Sequence, residues 1–439
     1  MAPSHNTQSL VIDMLRCAFL ARSTRALSHR VSLGADSTSP LISTTRAARG
    51  QRCLSGCSAG CGHLPIRAAV CRDSSAPFSL ENLHLENPRE DEVLIRLVAT
   101  GICHTDVAVK HKHIPSPFPI VLGHEGAGVV ERVGARVKSV AAGDHVIMSY
   151  SSCGECRNCL SGKPSYCVQH RTCNFSGARL DGSTTHSVAA SGERVHGAFF
   201  RQSSFATHAL ASERNVLVVD KSLPLATLAP LGCGIQTGAG AVLNTFKAGA
   251  GSSLAVFGCG SVGMSAVLAA RVAGCTRIVA VDLNPKRLAL AAELGATHCI
   301  NGADAQLAAA LKDASGGTGL DFALDTTGNT KILRTAFESL RPLGQCALVG
   351  GAPPGATVQL DMLSILLGRQ LRGVIQGDAV SRVFLPQLIE LYRQGRFPFD
   401  KFITFYDSLD DINGALDDAH SGAVIKPVLR ISPEPKRVL

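Results

Sequence analysis

The chain has 439 residues, 45% hydrophobic and 18% charged, with a net charge of +9. That length exceeds one hydrophobic core and fits two domains with appendages. The absence of tryptophan and a 5% aromatic content argue against base-stacking platforms, and the charge sits mostly at the front: residues 1–64 hold seven Arg against Asp13 and Asp36, net +5, leaving +4 for the rest. Sixteen cysteines in so long a chain, without a recognisable signal peptide, read as metal ligands and not as a secreted disulfide framework.

Residues 1–64 are rich in Arg, Ser, Thr and Ala and poor in acids, the composition of a mitochondrial transit segment. A disordered tail, or an upstream stretch not translated in nature, are the alternatives. Cys53, Cys57 and Cys61 are spaced by four, but no fourth ligand follows except His63, so free thiols are expected there. Order is expected from Ile66. Strands are predicted at IRAAVCR, PFSLENLHL, the alternating VLIRLVATGIC (Val93–Cys103), IVLGHEGAGVVERVG and DHVIM (Asp144–Met148). Short strands punctuated by Gly and Pro make a small β-barrel-like domain.

After Val219 the texture changes. An apolar strand, a glycine turn and a small-residue helix fill Leu254–Gly274, and RIVAVDLN is the next strand. A helix then opens with Asn284 as cap and Pro285 at its first position, and stops at Gly295. Further strands (HCIN, LDFALDTTG, QCALVG, LRGVIQG) alternate with helical segments at Ala305–Ala314 and Ile332–Leu340. Such alternation predicts a parallel, doubly wound α/β sheet. The tail carries an amphipathic helix, Phe384–Arg393, and a closing strand, Ile425–Ile431, expected to return to the first domain. Two uncharged stretches, Ser222–Phe246 and Ser252–Ala270, are long enough to span a membrane, but their glycines, prolines and Gln236 mark them as buried core.

Three constellations carry chemistry. Cys153, Cys156, Cys159 and Cys167 stand in a Gly- and Pro-bearing loop, and four thiolates so spaced close a tetrahedral structural zinc shell. An iron–sulfur cluster or four free thiols are the alternatives. Gly258, Gly260 and Gly263, with Ser261 and Val262 between them, lie between a strand and a helix, and Asp282 ends the next strand. The glycines admit a pyrophosphate to the helix N-terminus, and Asp282 accepts from ribose hydroxyls while repelling a 2′-phosphate. NAD is therefore expected over NADP; a purely structural glycine turn is the bland alternative. The third set is dispersed: Cys103, His124 and Cys233, two sulfurs and a nitrogen with a fourth position open, as a catalytic zinc needs. Glu125 follows His124, and Asp106 is placed to orient its imidazole from behind.

Together, GICHTD, GHEGAGVVERVG, the four-cysteine lobe, LGCGIQTG and VFGCGSVG resemble the zinc-dependent medium-chain alcohol dehydrogenases, over residues 66–431. VIMSYSSCGEC and FFRQSSFATHALASERNV are most similar to the aryl-alcohol (benzyl alcohol) branch. The resemblance implies a GroES-like catalytic domain (65–234, with the zinc lobe at about 150–175), a Rossmann domain (235–375) and a C-terminal return (376–439) behind an N-terminal extension (1–64). It implies two zinc ions per subunit, a dimer or tetramer, and no membrane or nucleic-acid partner. Cys103, His124 and Cys233 match the catalytic zinc ligands, Glu125 the acid that approaches the ion, and Thr105 the hydroxyl that takes the alcohol's proton. Thr237 and Val262 match positions against the nicotinamide, Arg287 joins the cofactor set, and His104 and Lys426 fall where pyrophosphate-binding bases stand. Phe199, Phe200 and Tyr150 match the substrate pocket. Ala108 replaces the histidine that ends the proton relay in many relatives; His111 and His113, close by, are expected to decorate a loop.

The expected reaction is reversible oxidation of a primary aryl or allylic alcohol to its aldehyde with NAD. A dehydrogenase of the glutathione adduct of formaldehyde is the rival enzyme, and a silent zinc- and NAD-binding protein the rival from another class. The expected location is cytoplasmic, or mitochondrial if residues 1–64 act as a transit segment.

Overall fold

The strand Glu92–Gly101 is the axis of the first half. It is buried on both faces except at Arg96, so its alternation in sequence does not separate a wet face from a dry one. Neighbours explain this: Gly126–Val133, His208–Ser212 and Lys426–Arg430 all pair antiparallel with it. They belong to a seven-stranded sheet. A five-stranded sheet includes His63–Cys71, Ser79–Glu86 and His186–Val188. The buried Arg179 guanidinium joins the two sheets, donating to Glu92 at 2.7 and 2.9 Å and to Glu86. Such a pair is costly to break from one side, because the partner charge is left in an apolar medium.

The computed structural model describes residues 63–435. The expectations for residues 1–62, including targeting and the thiols Cys53, Cys57 and Cys61, lie outside the described residues. The first strand begins at His63, slightly ahead of the Ile66 expected from the pattern.

The second half is a six-stranded sheet, entirely parallel, in the order His298–Asn301, Arg277–Asp282, Ser253–Phe257, Leu320–Asp325, Leu340–Leu348, Gln370–Gly373. The doubly wound α/β fold is the one the alternation predicts. The helix Ser261–Ala273 is buried from Gly263 through Ala270, because it is covered by the sheet and by the helix Gly234–Gly240. A Cβ on Gly238 would lie 1.9 Å from the Val262 carbonyl, so glycine there sets how closely the two helices approach. The next helix, Pro285–Leu294, has the expected cap, Asn284 accepting from the Lys286 N–H at 2.9 Å, and the expected stop at Gly295.

No single helix among the described residues is long and apolar enough to cross a membrane. Leu225–Gly232 and Gly234–Phe246 pass that test only as a pair bent by 58°. Their apolar residues are largely buried in the core between the two halves, as expected of Ser222–Phe246. Near the C-terminal end of the described residues, Lys426–Arg430 pairs with Glu92–Gly101.

Candidate active site and its metal centres

IVLGHEGAGVVERVG is not one strand. Ile120–Val121 ends, four residues turn, and Gly126–Val133 begins. Gly123 makes the turn with φ +90°, and a Cβ there would meet the Phe205 nitrogen at 2.5 Å. The break aims His124 and Glu125 inward, both wholly buried. Cys103 reaches the same point from the N-terminal end of the helix His104–Lys110, and Cys233 from the start of Gly234–Gly240.

The three donors converge. Cys103 Sγ and Cys233 Sγ are 3.9 Å apart, and His124 Nε2 is 3.2 Å from Cys233 Sγ. With Glu125, all their ligand atoms lie within 4.8 Å of one another. Tetrahedral zinc with bonds of about 2.3 Å would set sulfurs about 3.8 Å apart, so the donor set fits that ion. Asp106 organises the set. One carboxylate oxygen accepts from the Cys103 N–H, and the other from the Gly123 N–H and His124 Nδ1, all at 3.0 Å. A proton held on Nδ1 leaves Nε2 free to ligate. Burial opposes a charged His124 ring, but Asp106 and Cys103 outweigh it and raise the pKa well above the ordinary value. Cys103 is the easier thiol to ionise, chiefly through its hydrogen bond from Cys233 and then His124.

Glu125 is held by a counter-ion the sequence does not suggest. Lys426 Nζ donates to both Glu125 oxygens at 2.9 Å and to the Ile102 carbonyl at 3.0 Å. Its three protons are used and it is 1% exposed. Burial lowers its pKa; Glu125 and Cys103 overcome this and leave it raised. The expected pyrophosphate contact of Lys426 is therefore not the contact it makes. Gln202 is a second unforeseen member: its amide donates to the His124 and Ser149 carbonyls and accepts from the Gly126 N–H. Nothing in the local pattern of RQSSFATHAL, or of AVIKPVL around Lys426, signals either role.

The remaining expected residues are distributed as follows. Thr105 Oγ1 lies 3.8 Å from Cys103 Sγ. Phe200 stacks on the His124 ring at 4.5 Å, Phe199 meets it edge-on at 5.6 Å, and Phe175 packs on both phenylalanines. Tyr150 is buried and donates to the Ala379 carbonyl at 2.6 Å. Ala108 is buried, whereas His104, His111 and His113 are exposed. Thr237 donates its hydroxyl to the Cys233 carbonyl at 2.8 Å, inside its own helix.

At the glycine turn, Gly258 has φ +90° and a Cβ on Gly263 would lie 1.9 Å from the Gly258 carbonyl. A Cβ on Gly260 would meet nothing within 4 Å, so space for a ligand lies over the first turn, beside Ser261 and Val262. Asp282 accepts from the Cys259 N–H at 2.6 Å and the Asn284 N–H at 2.8 Å, ending its strand facing the same turn. Arg287 follows, its Nε buried without a partner. These residues fit a dinucleotide.

In the lobe, the Cys153, Cys156, Cys159 and Cys167 sulfurs all lie within 4.8 Å of one another, and four of the six pairs are 3.4 to 4.0 Å apart. Those spacings are far beyond a disulfide and close to a zinc tetrahedron. Backbone N–H groups of Cys153, Cys156 and Gln169 point at the sulfurs from 3.4 Å, as thiolates require.

Comparison with known proteins agrees with this geometry. Residues 89–219 match the family model for the alcohol dehydrogenase GroES-like domain, and residues 261–393 that for zinc-binding dehydrogenases. The chain is 46% identical over 369 residues to geraniol dehydrogenase of Castellaniella defragrans, covering 83% of this chain and 98% of the relative. It is 36% identical over 374 residues to S-(hydroxymethyl)glutathione dehydrogenase of Paracoccus denitrificans, covering 83% and 99%. The crystal structure of benzyl alcohol dehydrogenase from Acinetobacter calcoaceticus superposes with a TM-score of 0.81 at 44% identity, over 84% of this chain and all of the other. With both domain types, a cysteine lobe and a Cys–His–Cys centre in place, the chain belongs to the zinc-dependent medium-chain alcohol dehydrogenases.

Proposed function

We propose that this alcohol dehydrogenase oxidises primary aryl or allylic alcohols reversibly to aldehydes, with NAD as the hydride acceptor. The observation that carries the reading is the convergence of Cys103, His124 and Cys233, with the imidazole fixed from behind by Asp106. Those three side chains would hold the catalytic zinc, and Cys153, Cys156, Cys159 and Cys167 the structural one. When bound, the zinc supplies Lewis acidity that favours loss of the alcohol's proton, and the dinucleotide supplies the acceptor.

The chain's own residues do the rest. Thr105 takes the hydroxyl proton and passes it outward; with Ala108 in place of a histidine, the relay ends at cofactor ribose and water. Phe199, Phe200 and Phe175 keep water from the His124 side of the centre, which strengthens electrostatic interactions there. The same aromatic wall suits a planar or unsaturated substrate, in keeping with the geraniol and benzyl alcohol dehydrogenases among its relatives. Backbone N–H groups of the Gly258–Gly263 turn bind the pyrophosphate, Asp282 the ribose hydroxyls with Arg287 near, and Val262 and Thr237 flank the nicotinamide. His104, being exposed, remains available to the pyrophosphate.

A panel of benzyl alcohol, geraniol, ethanol and glutathione-adducted formaldehyde, each with NAD and with NADP, tests this. Turnover of the first two with NAD is the expected result. Reduction of neither cofactor by any alcohol would overturn the reading. The glutathione-adduct activity is the second reading, supported by the 36% identical S-(hydroxymethyl)glutathione dehydrogenase.

The enzyme works as a homo-oligomer in this reading. Met362, Leu363 and Leu366 are exposed on a short helix beside the open edge strand Gln370–Gly373, an apolar patch and a free edge that a second copy covers symmetrically. Light scattering of wild type and Leu366→Asp tests this. Cytoplasmic or mitochondrial residence turns on residues 1–64 and is read by cell fractionation of chains with and without them.

A further inference from the structure

Three consecutive residues, Gln376, Gly377 and Asp378, have φ of +53°, +65° and +53°. Two side-chain-bearing residues in the left-handed region need strong external constraint, and backbone of this kind collects where geometry serves function. The constraint is visible on both sides of the turn. Asp378 accepts from Thr245 Oγ1 and Arg372 Nη2, each at 2.8 Å, and from the Tyr166 hydroxyl. Tyr166 immediately precedes Cys167 in the cysteine lobe and also reaches the Gly373 carbonyl at 3.2 Å. Gly377 packs on glycine: a Cβ on Gly240 would lie 2.3 Å from the Gly377 carbonyl.

Gln376 faces the other way, into the catalytic centre. Its Nε2 lies 3.7 Å from Cys233 Sγ and its Oε1 accepts from Gln236 Nε2 at 2.9 Å. The polarity of this chain is forced. The Gly232 carbonyl can only accept, which fixes the Gln236 amide nitrogen on its side at 2.6 Å; that nitrogen shares its two protons among this carbonyl, Ser149 Oγ at 2.7 Å and Gln376, and Ser381 donates to Gln236 Oε1 at 3.0 Å. Gln376 must then present its oxygen to Gln236 and its N–H to the sulfur. Gln236, Gln376 and Cys233 are all buried.

We propose that the Gln376–Asp378 turn couples the two metal centres: the cysteine lobe anchors Asp378 through Tyr166, and Gln376 thereby positions an N–H donor on the Cys233 thiolate. Gln376 and Tyr166 are positioning residues, acting through a ligand and touching no substrate. The inference rests on Cys233 being a metal ligand. Donors to a metal thiolate draw off its charge and orient it, and such contacts typically change metal affinity or activity by about 10-fold to 100-fold.

The test uses the full chain with cobalt exchanged for zinc. Imidazole reaches only an open coordination position, so the cobalt absorption it perturbs reports the catalytic centre and not the closed lobe. In Gln376→Met the thiolate loses its donor, and the imidazole-sensitive sulfur-to-cobalt band moves to lower energy. Zinc loss to a chromogenic chelator quickens about 10-fold to 100-fold. Tyr166→Phe, which alters no group at the catalytic centre, moves both readouts the same way by a smaller factor. Should Gln376→Met fail to fold, Gln376→Leu, equally apolar and equally without an N–H for the sulfur, carries the same expectation. An unchanged band and release rate in the Gln376 variant overturn the donor role; unchanged values in Tyr166→Phe overturn the coupling. A wild-type protein with no imidazole-sensitive band would instead overturn the catalytic-metal reading itself.

Discussion

Asp106→Asn isolates the contribution of one buried carboxylate to the metal site. Asp106 serves three donors at 3.0 Å and is wholly buried. The amide oxygen can retain Gly123 and His124 Nδ1, but its –NH2 then faces the Cys103 N–H, donor against donor. A hydrogen bond to a charged group is worth about 1.5–3 kcal/mol, and its loss falls on the loop that carries a ligand. The neutral amide also makes the imidazole a poorer ligand, and altering such a partner typically weakens metal binding about 10-fold to 100-fold. That factor corresponds to about 1.4–2.8 kcal/mol, so the two routes agree. Competition for zinc against a chromogenic chelator measures the affinity, and kcat/KM for the preferred alcohol should fall with it. An Asp106→Asn protein that holds its zinc as tightly as wild type would refute the assignment of this carboxylate.

Other perturbations follow from the same geometry. Cys156→Ser should reduce zinc from two ions per chain to one by atomic absorption and open the lobe to proteases; two retained ions would contradict the closed four-thiolate shell. Asp282→Asn should raise the ratio of NADP to NAD kcat/KM by about tenfold, because the charge that repels a 2′-phosphate is gone. An unchanged ratio would leave cofactor choice to another residue. His186 is buried with Nε2 unpartnered, and burial, then Arg179, lowers its pKa to about 4. The unfolded ring titrates near 6.5, so between pH 6.5 and about 4 the unfolded chain binds more protons and stability falls as acid is added. The loss is up to ~3 kcal/mol, with no contribution above pH 6.5. Urea unfolding of His186→Gln should show a flatter pH dependence over that window.

What was legible in the sequence is what local chemistry demands. Asn284, Pro285 and Gly295 mark a helix because caps act over a few residues, and the glycine turn announces itself because a Cβ at Gly258 or Gly263 would not fit. The four lobe cysteines are close enough in sequence to be read as a set. The break at Leu122–Glu125 was not legible: apolar and glycine residues run through it, and it is fixed by Phe205, far along the chain. The helix expected at Ile332–Leu340 instead occupies Thr330–Glu338, because Asn329 caps it with bonds to Lys331 and Ile332 and Leu340 already begins the next strand. The partners of Glu125 and Cys233 were hidden for a simpler reason. Lys426 and Gln376 have no local pattern to reveal them, since each is chosen by a group hundreds or more than a hundred positions away.

The pairing of Glu125 with Lys426 also bears on synthesis. During translation the acid is made early, while its ammonium partner among the described residues follows 301 positions later. Burial already pushes the Glu125 carboxyl up to about 7 with the lysine in place, so until Lys426 arrives the pocket closes only around an unpaired carboxylate or one made to take up a proton, and either weakens closure. Ribosome-bound intermediates and chains cut before Lys426 should therefore stay open at this site and be visible to chaperones and proteases.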